Sequence, residues 1–333
     1  MVTIYDIAKA AGVGKSTVAN ALTGKGTVSE ATRQRILQLA REMGYRPSLV
    51  ARNLSQHKTM TIALILPTLV NPFYPEIVEA VENTMREHEY QTLICNTHFD
   101  FALGRQQMER LMSRWVDGYI IMGASMDSND IAHYVKQGLP IVLCDWQENE
   151  SPPGIAQVSI DFYRAGQLAA EHLLELGHQR IAVIVDAPLQ TLRLKGFQSI
   201  TSAAGIALPD VMIERGNSTL ESGYAAAKKL LGRPVLPTAI FATNDWMALG
   251  AIEAVLEKGL RVPHDISIVG LDDIVIAAHL HPPLTTVAIP KARLAREATE
   301  LLLTQIKGDE DTLVSRLVEP YLVVRQSTTW AAV

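Results

Sequence analysis

Apolar positions in the first 44 residues recur at helical spacing in three short blocks. Ile4, Ile7, Ala8 and Ala11 share one face of a helix that Thr3 can cap and Gly12 ends, with Asp6 near the positive end of its dipole. Val18, Ala21 and Leu22 line a second helix, which opens near Gly14 or Lys15 and breaks at Thr23-Gly24-Lys25-Gly26. Ser29 caps a third, with Ile36, Leu37, Leu39, Ala40 and Met43 as its apolar side and Gly44 as its stop. The break between the first two helices is about three residues long, the spacing of a helix-turn-helix. A short amphipathic piece, Ser48 to Leu54, and a polar link, Ser55 to Thr59, follow.

From Thr61 the rhythm changes. The apolar runs TIALILP, QTLICN, DGYIIMG and PIVLCD alternate with helical segments near 75–89, 104–114 and 128–137. In a second series, VSID, RIAVIVD, VMIERG, AIFATN and ISIVGLDD alternate with segments near 163–176, 194–204, 221–231 and 245–258. Unbroken apolar strands between helices predict parallel sheets covered on both faces, and hence an α/β body of two lobes. TTVAIP, a helix over about 291–307 and a final strand pair around 316–327 complete the pattern, with a return to the first lobe near Pro290. The expected domains are a helix-turn-helix over 1–46, a short amphipathic segment and linker over 47–59, which the resemblance named below makes a hinge helix, and a core over 60–333. Within that core, lobe one takes about 60–160 and 291–323, and lobe two about 161–290 and 324–333.

Charge sharpens this division. Residues 1–60 carry nine Lys or Arg against three acids, a net +6, which leaves −11 for the rest of a chain whose total is −5. A basic head on an acidic body is the electrostatic footprint of a small nucleic-acid-binding module joined to a larger one. No run of about 18 apolar residues occurs, and MVTIYDIAKAAG has no basic stretch followed by an apolar core, so no membrane association is expected and the cytosol is the expected location. The two cysteines, Cys95 and Cys144, lie in apolar strand-like runs and are expected to be buried thiols, without a metal site.

The string GVGKSTVANALTGKGT resembles a phosphate-binding loop, which needs Gly-x4-Gly-Lys-Ser/Thr leaving a buried strand. The first glycine would fall at Lys9, and the preceding IYDIAKAA has helical periodicity. Helix-turn-helix meets both constraints. The ordered set Thr3, Ile4, Asp6, Ile7, Ala8, Ala10, Ala11, Gly12, Val13, Thr17, Val18, Val28, Ser29, Gly44, Tyr45 and Pro47 resembles the opening of the LacI/GalR family of bacterial repressors, and the resemblance continues over essentially the whole chain.

That resemblance implies a homodimeric transcriptional regulator, with the two lobes forming a periplasmic-binding-protein-like core and palindromic operator DNA as partner. The expected DNA contacts are Thr3, Lys15, Ser16, Thr17, Asn20 and Tyr45 in the head, and Arg52, Asn53 and Leu54 in the hinge. Asn20 can bond an adenine edge bidentately, Lys15 can reach guanine or phosphate, and Leu54 is the wedge expected to open the duplex from the minor groove. Ala19 and Asn20 depart from the family's usual residues, so a different operator is expected.

Two α/β lobes bind ligands between them, outside the carboxyl ends of their strands. The candidates there are Asn71, Phe73, Tyr74, Asp145 and Trp146 in lobe one, and Asp161, Arg193, Ser218, Asn244 and Asp272 in lobe two. They suit a sugar, since each hydroxyl both donates and accepts, or a sugar acid such as gluconate or a ketogluconate that pairs with Arg193. A purine-type co-repressor is the alternative. Ser218 stands where many relatives place an aromatic, and the loop DAPLQTLRLKGF is shorter than theirs. No cofactor and no enzymatic activity are expected: HExxH and G-x-S-x-G are absent, and His279 and His281 sit in a Pro-rich loop. A sugar receptor would need an export signal, and a nucleotide hydrolase would need the phosphate loop.

Overall fold

The computed structural model describes residues 2–24, 26–45, 58–113, 116–123, 125–145, 154–186, 189–308 and 314–331. Trp146 and the hinge residues Arg52, Asn53 and Leu54 lie outside them. Two compact units divide the chain, Met1–Thr59 and Met60–Val333.

The first unit is built from α1 (Ile4–Ala11), α2 (Lys15–Thr23) and α3 (Glu30–Glu42). Thr3 opens α1 through a reciprocal contact with Asp6, its N–H and hydroxyl both donating to the carboxylate at 2.8 and 2.7 Å. These bonds lower the Asp6 pKa. Gly12 and Gly24 end α1 and α2 at φ 68° and 71°, a left-handed conformation in which a Cβ is strained. Ile7, Val18 and Ile36, one from each helix, are fully buried in the core of this unit.

The second unit holds two six-stranded sheets. Lobe one comprises β1 (Thr61–Leu66), α4 (Phe73–Glu87), β2 (Gln91–Asn96), α5 (Phe101–Met112), β3 (Gly118–Met122), α6 (Ser128–Lys136), β4 (Ile141–Cys144) and β5 (Ala156–Ile160), and later α11 (Lys291–Lys307) and β11 (Ser315–Val318). Its strands run in the order β2-β1-β3-β4-β5-β11, parallel throughout. Lobe two comprises α7 (Phe162–Glu175), β6 (Ile181–Val185), α8 (Thr191–Ala203), β7 (Ile213–Arg215), α9 (Leu220–Leu231), β8 (Ala239–Ala242), α10 (Asp245–Glu257), β9 (Ser267–Asp272), β10 (Thr285–Ala288) and β12 (Tyr321–Val323). The order is β7-β6-β8-β9-β10-β12, with β12 antiparallel to β10. The central strands β3, β4, β6, β8 and β9 are buried along their whole length, as their unbroken apolar runs require.

The chain passes between the lobes three times, at Asp161, at Ile289–Pro290 and at Glu319–Pro320. The last passage differs from the sequence expectation of one strand pair around 316–327. Strands β11 and β12 belong to different sheets, because Glu319-Pro320 carries the chain across before Tyr321 pairs with Ala288. Several helices also start two or three residues before their expected positions. Asp100, for example, caps α5 by accepting from the Ala102 and Leu103 amides.

Lobe two is held by helices in unusually close contact. A Cβ on Gly166 in α7 would lie 2.0 Å from the Arg193 carbonyl oxygen, and one on Gly196 in α8 would lie 1.9 Å from that of Tyr163. Gly223 and Gly250 play the same part between α9 and α10, where a Cβ would meet backbone oxygens of Met247 and Leu220 at 2.2 and 2.0 Å.

Candidate functional site

Both sheets reverse their strand order beside their first strand, and the carboxyl ends of the strands there open onto one cleft. The cleft encloses about 820 Å³, its mouth included. From lobe one it receives Asn71, Phe73, Tyr74 and Asp145, and from lobe two Arg193, Ser218, Asn244 and Asp272, all of them expected from the sequence.

Asp161 does not reach this cleft. It occupies the first passage between lobes and caps α7, its carboxylate accepting from the Arg164 amide at 2.8 Å. The next residue, Phe162, lines the cleft instead. Asp186, Gln190 and Trp246 also line it and were not anticipated. Asp186 follows the strand RIAVIVD, so the strand-end rule that selected Asp145 could have found it.

Arg193 lies on α8, buried over the ring of Phe162, with its guanidinium carbon 3.9 Å from the ring centroid. It donates to the Thr243 carbonyl at 2.5 Å and stands 3.9 Å from the Asp272 carboxylate. Burial raises the Asp272 pKa strongly, and Arg193 opposes the rise. Burial likewise raises that of Asp186.

Ser218, held at φ 61°, is the centre of a polar network. Its hydroxyl donates to Asp186 at 2.6 Å and accepts from Gln190 and Asn244 at 3.1 and 3.0 Å. Thr243 extends the network by donating to Gln190, and Asn244 also caps α10 by accepting from the Met247 amide at 2.7 Å. Ser218 therefore spends its bonding capacity on the protein and shapes this wall of the cleft.

Behind this wall Asp245 is fully buried, accepting from the Thr286 hydroxyl at 2.6 Å and the Ile274 amide at 2.9 Å. Burial pushes its pKa up to about 6 from an ordinary 3.8. The folded state then binds more protons than the unfolded state between about pH 4 and 6, so this group's contribution to stability falls as pH rises through that window, by about 3 kcal/mol in all. Asp245→Asn is expected to remove that fall. Thermal melts of both proteins from pH 4 to 7 check it; parallel pH profiles would contradict it.

In the first unit Lys15, Ser16 and Thr17 stand in the first turn of α2, Lys15 and Ser16 being exposed. The Lys15 ammonium donates to the Tyr5 hydroxyl at 3.1 Å and lies 4.7 Å from that ring's centroid. Asn20 is half-buried, with its amide nitrogen so near Gly26 that a Cβ there would lie 2.7 Å away. Tyr45 packs on the core of this unit, and Thr3 is engaged with Asp6.

Among the described residues no cluster fit to hold a metal ion occurs, and no helix is long and apolar enough to cross a membrane.

Comparison with known proteins agrees with both units. Residues 3–48 match the model for bacterial regulatory proteins of the lacI family, and residues 149–328 match that for a periplasmic binding protein-like domain. The chain is 37% identical to the HTH-type transcriptional regulator DegA of Bacillus subtilis (strain 168), over 98% of both chains. It is 35% identical to the ribose operon repressor of Haemophilus influenzae, again over 98% of both. Among solved structures, the lac repressor dimer bound to operator and the anti-inducer ONPF superposes with a TM-score of 0.89 at 28% identity, covering 98% of this chain and 99% of that one.

Proposed function

Because the chain belongs to the lacI family of bacterial regulatory proteins, we propose that this DNA-binding repressor works as a homodimer on a palindromic operator and is controlled by a neutral polyhydroxylated molecule of monosaccharide size. The two heads would read the half-sites through α2, with Lys15, Ser16 and Asn20 toward the major groove, while residues 47–59 supply the hinge helix and linker. Dimerisation is supported by Leu93 and Ile94, exposed on the edge strand β2, and by the similarity to the lac repressor dimer.

The observation that carries the effector class is the charge balance of the cleft. Among the described residues lining it, one cation, Arg193, faces three carboxylates, Asp145, Asp186 and Asp272. Burial already raises the pKa of Asp186 and Asp272, so the cleft disfavours negative charge, and an anionic sugar acid would add another such group beside them. Hydroxyl groups instead donate to carboxylates and accept from Arg193, and Phe73, Phe162 and Trp246 offer apolar faces to the C–H surface of a sugar ring.

Selection of bound duplexes from a random-sequence pool, followed by gel shifts with D-ribose, other neutral sugars, D-gluconate and purine bases, tests this reading. A palindrome should emerge, with affinity falling about 1,000-fold between 50 and 200 mM salt. A neutral sugar should change that affinity at least about tenfold, a coupling of roughly 1.4 kcal/mol. Response to gluconate or a purine alone would overturn the effector class, and failure to recover any palindrome would overturn the operator mechanism.

A further inference from the structure

The segment Asp272–Val275 is gripped from both lobes. Asp272 and Asp273 are consecutive non-glycine residues at φ 122° and 52°, a conformation that must be imposed from outside. Lys291, the first residue of α11, donates to the carbonyl oxygens of both, at 2.8 and 2.7 Å. The same ammonium pairs with Glu76 of α4 at 3.1 Å, and the other oxygen of Glu76 accepts from the Val275 amide at 2.9 Å. On the lobe-two side, Asp245 accepts from Ile274, Thr286 from Asp273, and Arg325 donates to the Asp273 carboxylate at 2.7 Å.

The geometry points to Glu76 and Lys291 as positioning residues that latch the two lobes together and pass the state of the cleft to lobe one. Asp272 presents its carboxylate to the cleft and its carbonyl to Lys291. A ligand that moves Asp272 therefore pulls directly on Lys291, and through it on Glu76. Glu76 lies one turn along α4 from Phe73 and Tyr74, which line the opposite wall of the cleft. Lys291 also follows immediately on the Ile289–Pro290 passage, so the latch sits beside one of the three chain passages between the lobes. The Glu76 side chain is 23% exposed and that of Lys291 10%, which shields the pair from the screening that weakens surface ion pairs.

The test needs no knowledge of the effector and so stands apart from the proposal about its class. Full-length protein is labelled at Lys136→Cys in lobe one and Ser202→Cys in lobe two, in a Cys95→Ser background, with one labelled chain per molecule. Single-molecule energy transfer should give one narrow distribution for the parent. Glu76→Gln and Lys291→Met should each broaden or shift it, and the double variant should do no more than either alone. Arg293→Gln, which breaks the Arg293–Glu297 pair on the same helix within lobe one, should leave it unchanged. A parent-like distribution in the Glu76 and Lys291 variants, or an equal change in Arg293→Gln, would overturn the latch. A second measurement uses the unmodified protein. Val275 as a residue is 64% exposed, yet its amide should exchange with deuterium at least about tenfold more slowly than in a free chain. Exchange at the free-chain rate would equally overturn the proposal.

Discussion

Replacing Arg193 by methionine is expected to lower the affinity of the cleft for its effector by a factor of about 100, while operator affinity stays within about twofold of the parent's. The guanidinium is the one cation among the described lining residues, and a bond from it to a buried ligand oxygen is charge-assisted, worth about 1.5–3 kcal/mol. The head is a separate unit with its own core, so the loss does not extend to it. The variant's operator affinity should then stay unchanged at sugar concentrations that alter the parent's, which calorimetry and gel shifts measure together. A parent-like response to the sugar would sink the assignment of Arg193 to the effector.

The same substitution carries a signature in stability. Without Arg193, the buried Asp272 carboxylate loses the positive charge that opposes its raised pKa. A group that binds its proton more tightly in the folded state loses stability as pH rises toward its folded pKa. The loss of melting temperature with rising pH should therefore continue to higher pH in the variant than in the parent.

Gly196→Ala should be among the most damaging single-methyl changes in lobe two. Its Cβ would lie 1.9 Å from the Tyr163 carbonyl oxygen, a backbone atom that no rotamer change can move aside. Helices α7 and α8 must part, which costs about 3 kcal/mol on the scale of overpacked cores. Because α8 carries Arg193 three residues before Gly196, effector binding should fall in the fraction that still folds. Urea denaturation and calorimetry measure the two effects; a midpoint equal to the parent's would refute the close approach.

The sequence was most legible where a local rule suffices. Caps at Thr3 and Ser29, the stop at Gly12 and the apolar runs of the central strands each depend on neighbours a few residues away. The strand-end rule brought eight cleft residues together for the same reason. It erred at Asp161, where one residue of register decides between capping a helix and facing a ligand. Ser218 was located but its role was not visible, because Asp186, Gln190 and Asn244 reach its hydroxyl from 32, 28 and 26 residues away. Glu76 and Lys291 left no local trace at all, since they meet only after the chain has passed from lobe one to lobe two and back.

The three passages between lobes also set the order in which this protein can be finished as it is made. The three helices of the head are complete by Glu42, and among the described residues its core draws on nothing beyond Tyr45. Lobe one must wait for α11 and β11, and lobe two for β12, so both sheets close only once residues 315–323 are in place. A ribosome thus releases a head able to fold long before the lobes can grip a ligand, and a chain cut short before Ser315 would keep the reading helix without a completed effector cleft.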